Sequence, residues 1–210
     1  MKSPRTVDES VRRRLREAYG LKVDEREART PPAWEVGERD AFVSLLQREE
    51  KWSVLELGAG TGVDSACFQE HGFAVVCTDL SPAMVSRCQA KGLAACVMDV
   101  AALHFPPDAF DAVYAMNCLV HVPHAEFSTV VTEVSRILKS TGLFYLGQHG
   151  GYEHERALAA DPYEPKRFLA VHTDARLREL LAATFDVHTF RSLPHGSAGL
   201  HFQSFILRKR

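Results

Sequence analysis

The segment Glu56-Leu57-Gly58-Ala59-Gly60-Thr61-Gly62 places three glycines at alternate positions behind an acidic residue. Glycines spaced this way let a backbone turn tightly and approach a ligand closely, because no Cβ intervenes. Asp79 lies 19 residues after Gly60. A carboxylate at that place can accept hydrogen bonds from both hydroxyls of a ribose. Asp99 offers another acceptor, suited to the amino group of an adenine, and Asn117-Cys118 adds an amide. This set points to a nucleoside-bearing cofactor. Of the ten histidines, His121 follows Asn117 closely, His149 stands in Gly147-Gln148-His149-Gly150-Gly151, and His124 comes three residues after His121. Histidine is the default proton acceptor near neutral pH, so His121 and His149 are candidate bases. A metal site is not expected. The pairs His121/His124 and His149/His154 come with no cysteine partner or dense acidic cluster, and Pro123 interrupts the first.

The order of elements explains how these residues meet. Helical spacing predicts a helix over residues 8–20, built on Val7, Val11, Leu15 and Ala18 and ended by Gly20. A loop is expected over 21–37, which is charged and contains Pro31-Pro32, then a helix over 38–50 with Phe42, Leu45 and Leu46 inward. Strands and helices then alternate: strand 52–57, helix 63–71, strand 73–78, helix from Ser81-Pro82 to about 91, strand 93–98, strand 110–116, a helix after Pro123 to about 139, and strand 143–147. Such alternation means a parallel sheet with helices on both faces, and continuously apolar strands agree with it. Ligands bind such sheets at the carboxyl ends of the strands. Four adjacent strand ends here carry the glycine loop, Asp79, Asp99 and Asn117. Residues 148–172 lack periodicity, which is long for a plain connection. A helix over 173–183 and strands 185–191 and 200–207 complete the chain. The short joint between those strands favours an antiparallel pair.

These residues resemble the class I S-adenosylmethionine-dependent methyltransferases. The likeness rests on the glycine loop with its Glu, on Val75-Val76-Cys77-Thr78-Asp79-Leu80-Ser81, Val97-Met98-Asp99-Val100 and Phe110-Asp111-Ala112-Val113, and on Arg136-Ile137-Leu138-Lys139 with Gly142-Leu143-Phe144. It covers roughly residues 35 to 150 by motif, and the terminal strand pair extends it. The resemblance implies a doubly wound, Rossmann-like α/β fold with a seven-stranded sheet whose last strand is antiparallel. It implies S-adenosylmethionine as cofactor and S-adenosylhomocysteine as product. Gly58, Ala59 and Gly60 would line the methionine part and Glu56 the base of that pocket. Asp79 would hold the ribose, Leu80 would pack on the adenine, Met84 would pack near the adenine or equally in the core, and Asp99 and Val100 would contact the adenine edge. The backbone of Asn117 would face the ammonium group, and Tyr19 from the N-terminal helix would join the cofactor and acceptor site. A dinucleotide-binding fold is the main competitor, but its G-x-G-x-x-G spacing is absent, since Gly62 is followed by Val63.

The expected organisation is one domain: a helical cap over 1–50, a cofactor core over 51–147, a substrate lid over 148–172, and a C-terminal helix with the strand pair over 173–210. The chain has 210 residues, 46% hydrophobic, with a formal net charge of −2. That suits a single domain and lacks the clustered basic surface of a nucleic-acid binder. The run Arg12-Arg13-Arg14 with Arg16 reads as a solvated helix face balanced by Glu9 and Glu17. The five cysteines form no C-x-x-C pair and read as small apolar residues in a reducing compartment. No apolar stretch approaches the ~20 residues needed to cross a bilayer, and the polar N-terminus lacks a signal-peptide core. A cytoplasmic location with no membrane partner follows. The expected reaction is methyl transfer to an O or N atom of a small-molecule acceptor. The acceptor pocket would be built from Tyr19 and Trp34 at one end and Tyr152, Tyr163, Arg167 and Phe168 at the other. A non-catalytic S-adenosylmethionine-binding regulator, a protein or RNA methyltransferase and an NAD-binding enzyme are the alternatives. The sequence does not distinguish a monomer from a homodimer.

Overall fold

The structure, a computed structural model, describes residues 9–194 and 199–210. Val7 of the expected first helix, the N-terminus read for a leader, and residues 195–198 of the last joint lie outside the described residues. The chain runs through α1 (Glu9–Leu21), α2 (Val23–Glu27), α3 (Ala33–Arg48), β1 (Ser53–Leu57), α4 (Val63–Glu70), β2 (Ala74–Asp79), α5 (Pro82–Ala90), β3 (Ala94–Val97) and β4 (Phe110–Met116). A single 3-10 turn, Leu119–His121, leads to α6 (His124–Ile137) and β5 (Leu138–Gly150). Then come β6 (His154–Ala157), β7 (Phe168–Val171), α7 (Asp174–Ala182), β8 (Phe185–Pro194) and β9 (His201–Lys209).

Seven strands form one sheet in the order β3-β2-β1-β4-β5-β9-β8. The first five are parallel, and β9 runs antiparallel to both β5 and β8. Alternate residues explain the layers. Leu55, Leu57, Val113, Ala115, Phe144 and Leu146 point to one face, where Phe127, Val130, Val134 and Ile137 of α6 and Leu177 and Leu181 of α7 cover them. Val54, Ala112, Tyr114, Leu143 and Tyr145 point to the other, under Phe42 and Leu46 of α3 and Phe68 of α4. Both faces are therefore dry, which is why these strands read as unbroken apolar runs. One acid lies inside the second layer. Glu38 of α3 accepts from Tyr145 Oη at 3.2 Å and Arg191 Nη2 at 2.8 Å, and touches Ser204 Oγ.

Three expectations need correction. Residues 21–37 are not one loop: α2 forms there, and α3 begins at Ala33 directly after Pro32, whose fixed φ suits a helix entry. β5 is longer than 143–147, because it pairs with β9 as far as Gly150 and with Phe110 at Leu138. His149 is therefore inside a strand. Finally, residues 148–172 are not structureless. β6 and β7 pair antiparallel as a small second sheet. Ser81 does stand before Pro82, but its hydroxyl makes no cap bond.

At the edge away from the strand ends, Asp111 ties β4 to β1. Its carboxylate accepts from the backbone N–H of Trp52 and Ser53, the Ser53 hydroxyl and Lys139 Nζ. Burial pushes this carboxyl up, but those donors outweigh it and hold it at about 2, against an ordinary 3.8. A depressed carboxylate stabilises the fold above its ordinary value and loses that contribution as pH falls towards the folded value. Solvent screens this part-exposed group, so Asp111→Asn should cost about 1 kcal/mol at pH 7. In urea titrations the gap from the parent protein should close as pH drops from 4 to about 2.

Candidate functional site

The carboxyl ends of β1, β2 and β4 and the residues after β3 open into one cavity of about 550 Å³. That lies within the usual range for small-ligand sites. The glycine loop forms its floor. Gly58 and Gly60 have φ of +65° and +55°, a region L side chains rarely adopt. A Cβ on Gly58 would stand 2.3 Å from Cys118 Cβ, so glycine alone lets the loop rest on β4's end. Asp79 stabilises the same loop. Its carboxylate accepts from the backbone N–H of Gly60 at 2.9 Å and of Ser81 at 2.8 Å. Burial pushes Asp79 up to about 6, only partly offset by those N–H groups. A carboxylate has about four acceptor positions, so two remain for a ligand's hydroxyls.

Glu56 is the more demanding acid. It is 3% exposed, and its carboxylate accepts from the Ser65 hydroxyl. Burial, and then the neighbouring Asp64, push it well above the usual carboxylate range. A cation beside it would reverse that shift. Asp99 accepts from the backbone N–H of Ala101 at 2.8 Å, and its other oxygen is taken by Arg12. Arg12 thus faces the cavity, only 15% exposed. This corrects the reading of the arginine run as a wholly solvated face, although Arg13 and Arg14 are exposed. Leu80, Val100, Ala59 and Asn117 also line the cavity. Met84 does not. It is 1% exposed within α5, which replaces the expected cofactor contact with a place in the core.

Above this floor the two candidate histidines differ. His121 places Nδ1 2.7 Å from the Phe168 carbonyl oxygen and Nε2 2.7 Å from Tyr19 Oη. A carbonyl only accepts, so Nδ1 carries the hydrogen and Nε2 accepts from the phenol. Burial holds His121 down at about 4, and Arg167 adds to this against the opposing Phe168 contact. The ring is neutral and occupied at both nitrogens near pH 7. Tyr19 Oη in turn accepts from Arg167 Nη1 at 3.0 Å, and Arg167 pairs with Asp161 at 2.6 Å. Arg167 also lies 3.7 Å from the ring centroid of Tyr163. This chain joins α1, the 3-10 turn and the segment before β7. His149 instead sets Nδ1 2.9 Å from Asn117 Oδ1 and packs edge-on to Trp34. Donation from Nδ1 makes Nε2 its basic nitrogen.

Tyr19, Trp34, Tyr152, Arg167, His121 and His149 all line the cavity. Tyr163 and Phe168 do not, and act on it through Arg167 and His121. Sequence reasoning passed over Arg12, Arg26, Asp64 and Asp161. Arg26, whose Nη2 comes within 3.9 Å of a Cβ built on Gly60, sits in a charged stretch without periodicity. Among the described residues, a three-residue group able to hold a metal is His124, Glu153 and His172, not the pairs weighed from spacing.

Residues 54–142 match the family described as a methyltransferase domain. The chain is similar along its whole length to the Burkholderia thailandensis 1,6-didemethyltoxoflavin-N1-methyltransferase, whose structure holds its substrate and S-adenosylhomocysteine. The identity is 25%, the TM-score 0.73, and 93% of that chain is covered. The chain thus resembles S-adenosylmethionine-dependent methyltransferases, with the family pattern confined to residues 54–142. Over 104 residues, 46% of this chain, it is also 35% identical to a phosphatidylethanolamine N-methyltransferase from Cereibacter sphaeroides, and it covers 50% of that relative. The cyclase SpnF shares the fold at 19% identity and a TM-score of 0.61, with 81% of each chain covered.

The residues present fit the family's cofactor. A desolvated Glu56 suits an ammonium group, a loop without Cβ atoms suits close backbone approach, and Asp79 has acceptor positions to spare. When bound, S-adenosylmethionine supplies an electrophilic methyl group. The ionised Asp79 is the form that accepts from hydroxyls, so binding favours loss of its proton. Affinity for S-adenosylhomocysteine should be constant above pH 7. Below about 6 it should fall by up to tenfold per pH unit. Calorimetry across that range checks this, and Asp79→Asn should flatten the profile.

Proposed function

We propose that this chain transfers a methyl group from S-adenosylmethionine to a nitrogen or oxygen atom of a small-molecule acceptor. The observation that carries the reading is the continuity of one cavity. It runs from the glycine loop, Glu56 and Asp79 to the ring of His121, His149, Tyr152 and Arg167 under the lid strands. Both halves of a transfer reaction can be held there together. The methyl group is already electrophilic, so the protein must chiefly align the acceptor and exclude water. Two of the similar proteins are named N-methyltransferases, which favours a nitrogen acceptor here. A concave site of this size favours a small acceptor over a nucleic acid or a protein. Among the described residues no helix is long and apolar enough to cross a membrane, in keeping with the proposed cytoplasmic location.

Roles divide by hydrogen bonding. Glu56, Gly58, Ala59, Gly60, Asp79, Leu80, Asp99, Val100 and the backbone of Asn117 bind the cofactor. His149 accepts a proton at Nε2 where the acceptor atom carries one, with Asn117 holding its tautomer. His121 is a positioning residue, since Tyr19 and Phe168 occupy its ring. Tyr19 closes the cavity between cofactor and acceptor. A second reading, a cofactor-binding protein without methyl transfer, draws support from SpnF, a cyclase that shares the fold.

Calorimetric titration with S-adenosylmethionine and S-adenosylhomocysteine tests the first half, with NAD as control. Saturable binding of both, lost in Asp79→Ala, is expected, and binding of NAD instead would overturn the reading. Labelled methyl donor with a panel of heterocyclic and aliphatic amines then separates the two readings. In the active pair, His149→Ala should lower kcat by about 10²-fold or more. His121→Asn should act mainly on the acceptor's KM. Unchanged turnover in His149→Ala would remove the base assignment while leaving methyl transfer in place.

A further inference from the structure

A second polar cluster lies beneath the lid sheet, away from the cavity. Eight buried side-chain N and O atoms lack a hydrogen-bond partner among the described residues, and five belong to Gln148, His172 and Gln203. Those three are neighbours. Gln148 sits opposite Gln203 in the β5–β9 pairing, and Gln203 Nε2 donates to the His172 carbonyl at 3.0 Å. Orphaned polar atoms so concentrated call for an explanation. His172 is 2% exposed, and neither of its ring nitrogens makes a hydrogen bond.

The surroundings of His172 narrow the explanation. Its ring stacks on His124, centroids 4.1 Å apart and planes 26° apart. The His124 Nε2 lies 3.2 Å from the Val171 carbonyl oxygen. That nitrogen must carry hydrogen, which puts the lone pair of the neutral ring on Nδ1. Nδ1 faces Glu155 Oε2 at 3.5 Å, while His172 Nδ1 faces Glu153 Oε2 at 3.5 Å. A lone pair opposed to a carboxylate repels it unless a proton or a metal cation lies between. Both separations are long for hydrogen bonds. They are close to the spacing of about 3.3 Å between two donors that each stand ~2.0 Å from one tetrahedral ion. Ligand atoms of His124, Glu153 and His172 all lie within 4.8 Å of one another.

We propose that His124, His172 and Glu153 bind one divalent transition-metal ion of the zinc type. Two imidazoles and one carboxylate suit zinc, cobalt or nickel rather than magnesium or calcium, which prefer oxygen donors. The hydrogen bond from His124 Nε2 to Val171 is the outer contact that orients a ligating imidazole. Glu155 or water completes the coordination. The ligands come from three places: the first residue of α6, the segment before β6, and the residue after β7. The ion therefore ties both strands of the lid sheet to a core helix. Its role is structural, and it does not depend on which acceptor the cavity takes.

The test uses full-length protein without a histidine tag, stripped with chelator and titrated with cobalt(II). One equivalent should bind with visible ligand-field absorption and be displaced by zinc. Glu153→Gln and His124→Asn alter part-exposed side chains and should fold normally. Each should weaken cobalt binding tenfold or more and abolish the zinc-dependent rise in thermal midpoint. His172→Ala should remove binding. Failure of the stripped protein to take up cobalt or zinc overturns the proposal. So does uptake that Glu153→Gln and His124→Asn leave unchanged.

Discussion

Two carboxyl groups held out of water at neighbouring strand ends organise this molecule. Glu56 and Asp79 stand at the ends of β1 and β2, and both are driven up by burial. An isolated buried acid is costly unless donors or a cation compensate it. Much of the local architecture supplies those donors. Ser65 at the start of α4 reaches Glu56, and the N–H groups of Gly60 and Ser81 converge on Asp79. The turn between β1 and α4 must therefore bend back over β2, and left-handed glycines, with Gly58 pressed on Cys118, allow it. What compensation the protein leaves incomplete is what a ligand with an ammonium group and two hydroxyls can finish.

The upper half of the cavity follows a different logic. No single element builds it. Asp161, Arg167, Tyr19, His121 and the Phe168 carbonyl form a relay of charge-assisted and neutral hydrogen bonds across parts of the chain up to 148 residues apart. Such a network holds one geometry only while every member stays in place. It turns a histidine that sequence position alone would make a base into a support for a tyrosine.

The layered sheet was legible in the sequence because both its signals are local. Apolar runs such as Val54–Leu57 and Phe110–Met116 mark strands buried on two faces, and Gly58, Asp79 and Asp99 fall at their ends. The dihedral need at Gly58 and the place of Asp79 at the end of β2 could be read the same way. Arg12 could not be read so, because its helix looks amphipathic and solvated until α1 is folded over Asp99. Nor could the 21–37 and 148–172 segments, where short elements such as α2, β6 and β7 carry too few residues to show a period. The pairing of His124 with His172 depends on the fold alone, since the two are far apart in sequence and belong to unrelated elements. Met84 shows the reverse limit: a position next to a motif looked like a ligand contact and turned out to be core.

The contact between Arg12 and Asp99 has an effect beyond holding α1. In the proposed binding mode an adenine amino group would use the Asp99 carboxylate that this guanidinium already contacts, so the protein carries its own partner at one end of the cleft. A nucleoside entering there must share or displace that partner. By reciprocity, whatever loosens α1 favours the nucleoside, and the nucleoside loosens α1 by the same free energy. The first helix is then not a fixed cover but a weight on a balance, and how firmly α1 is held reads out whether the cleft is filled.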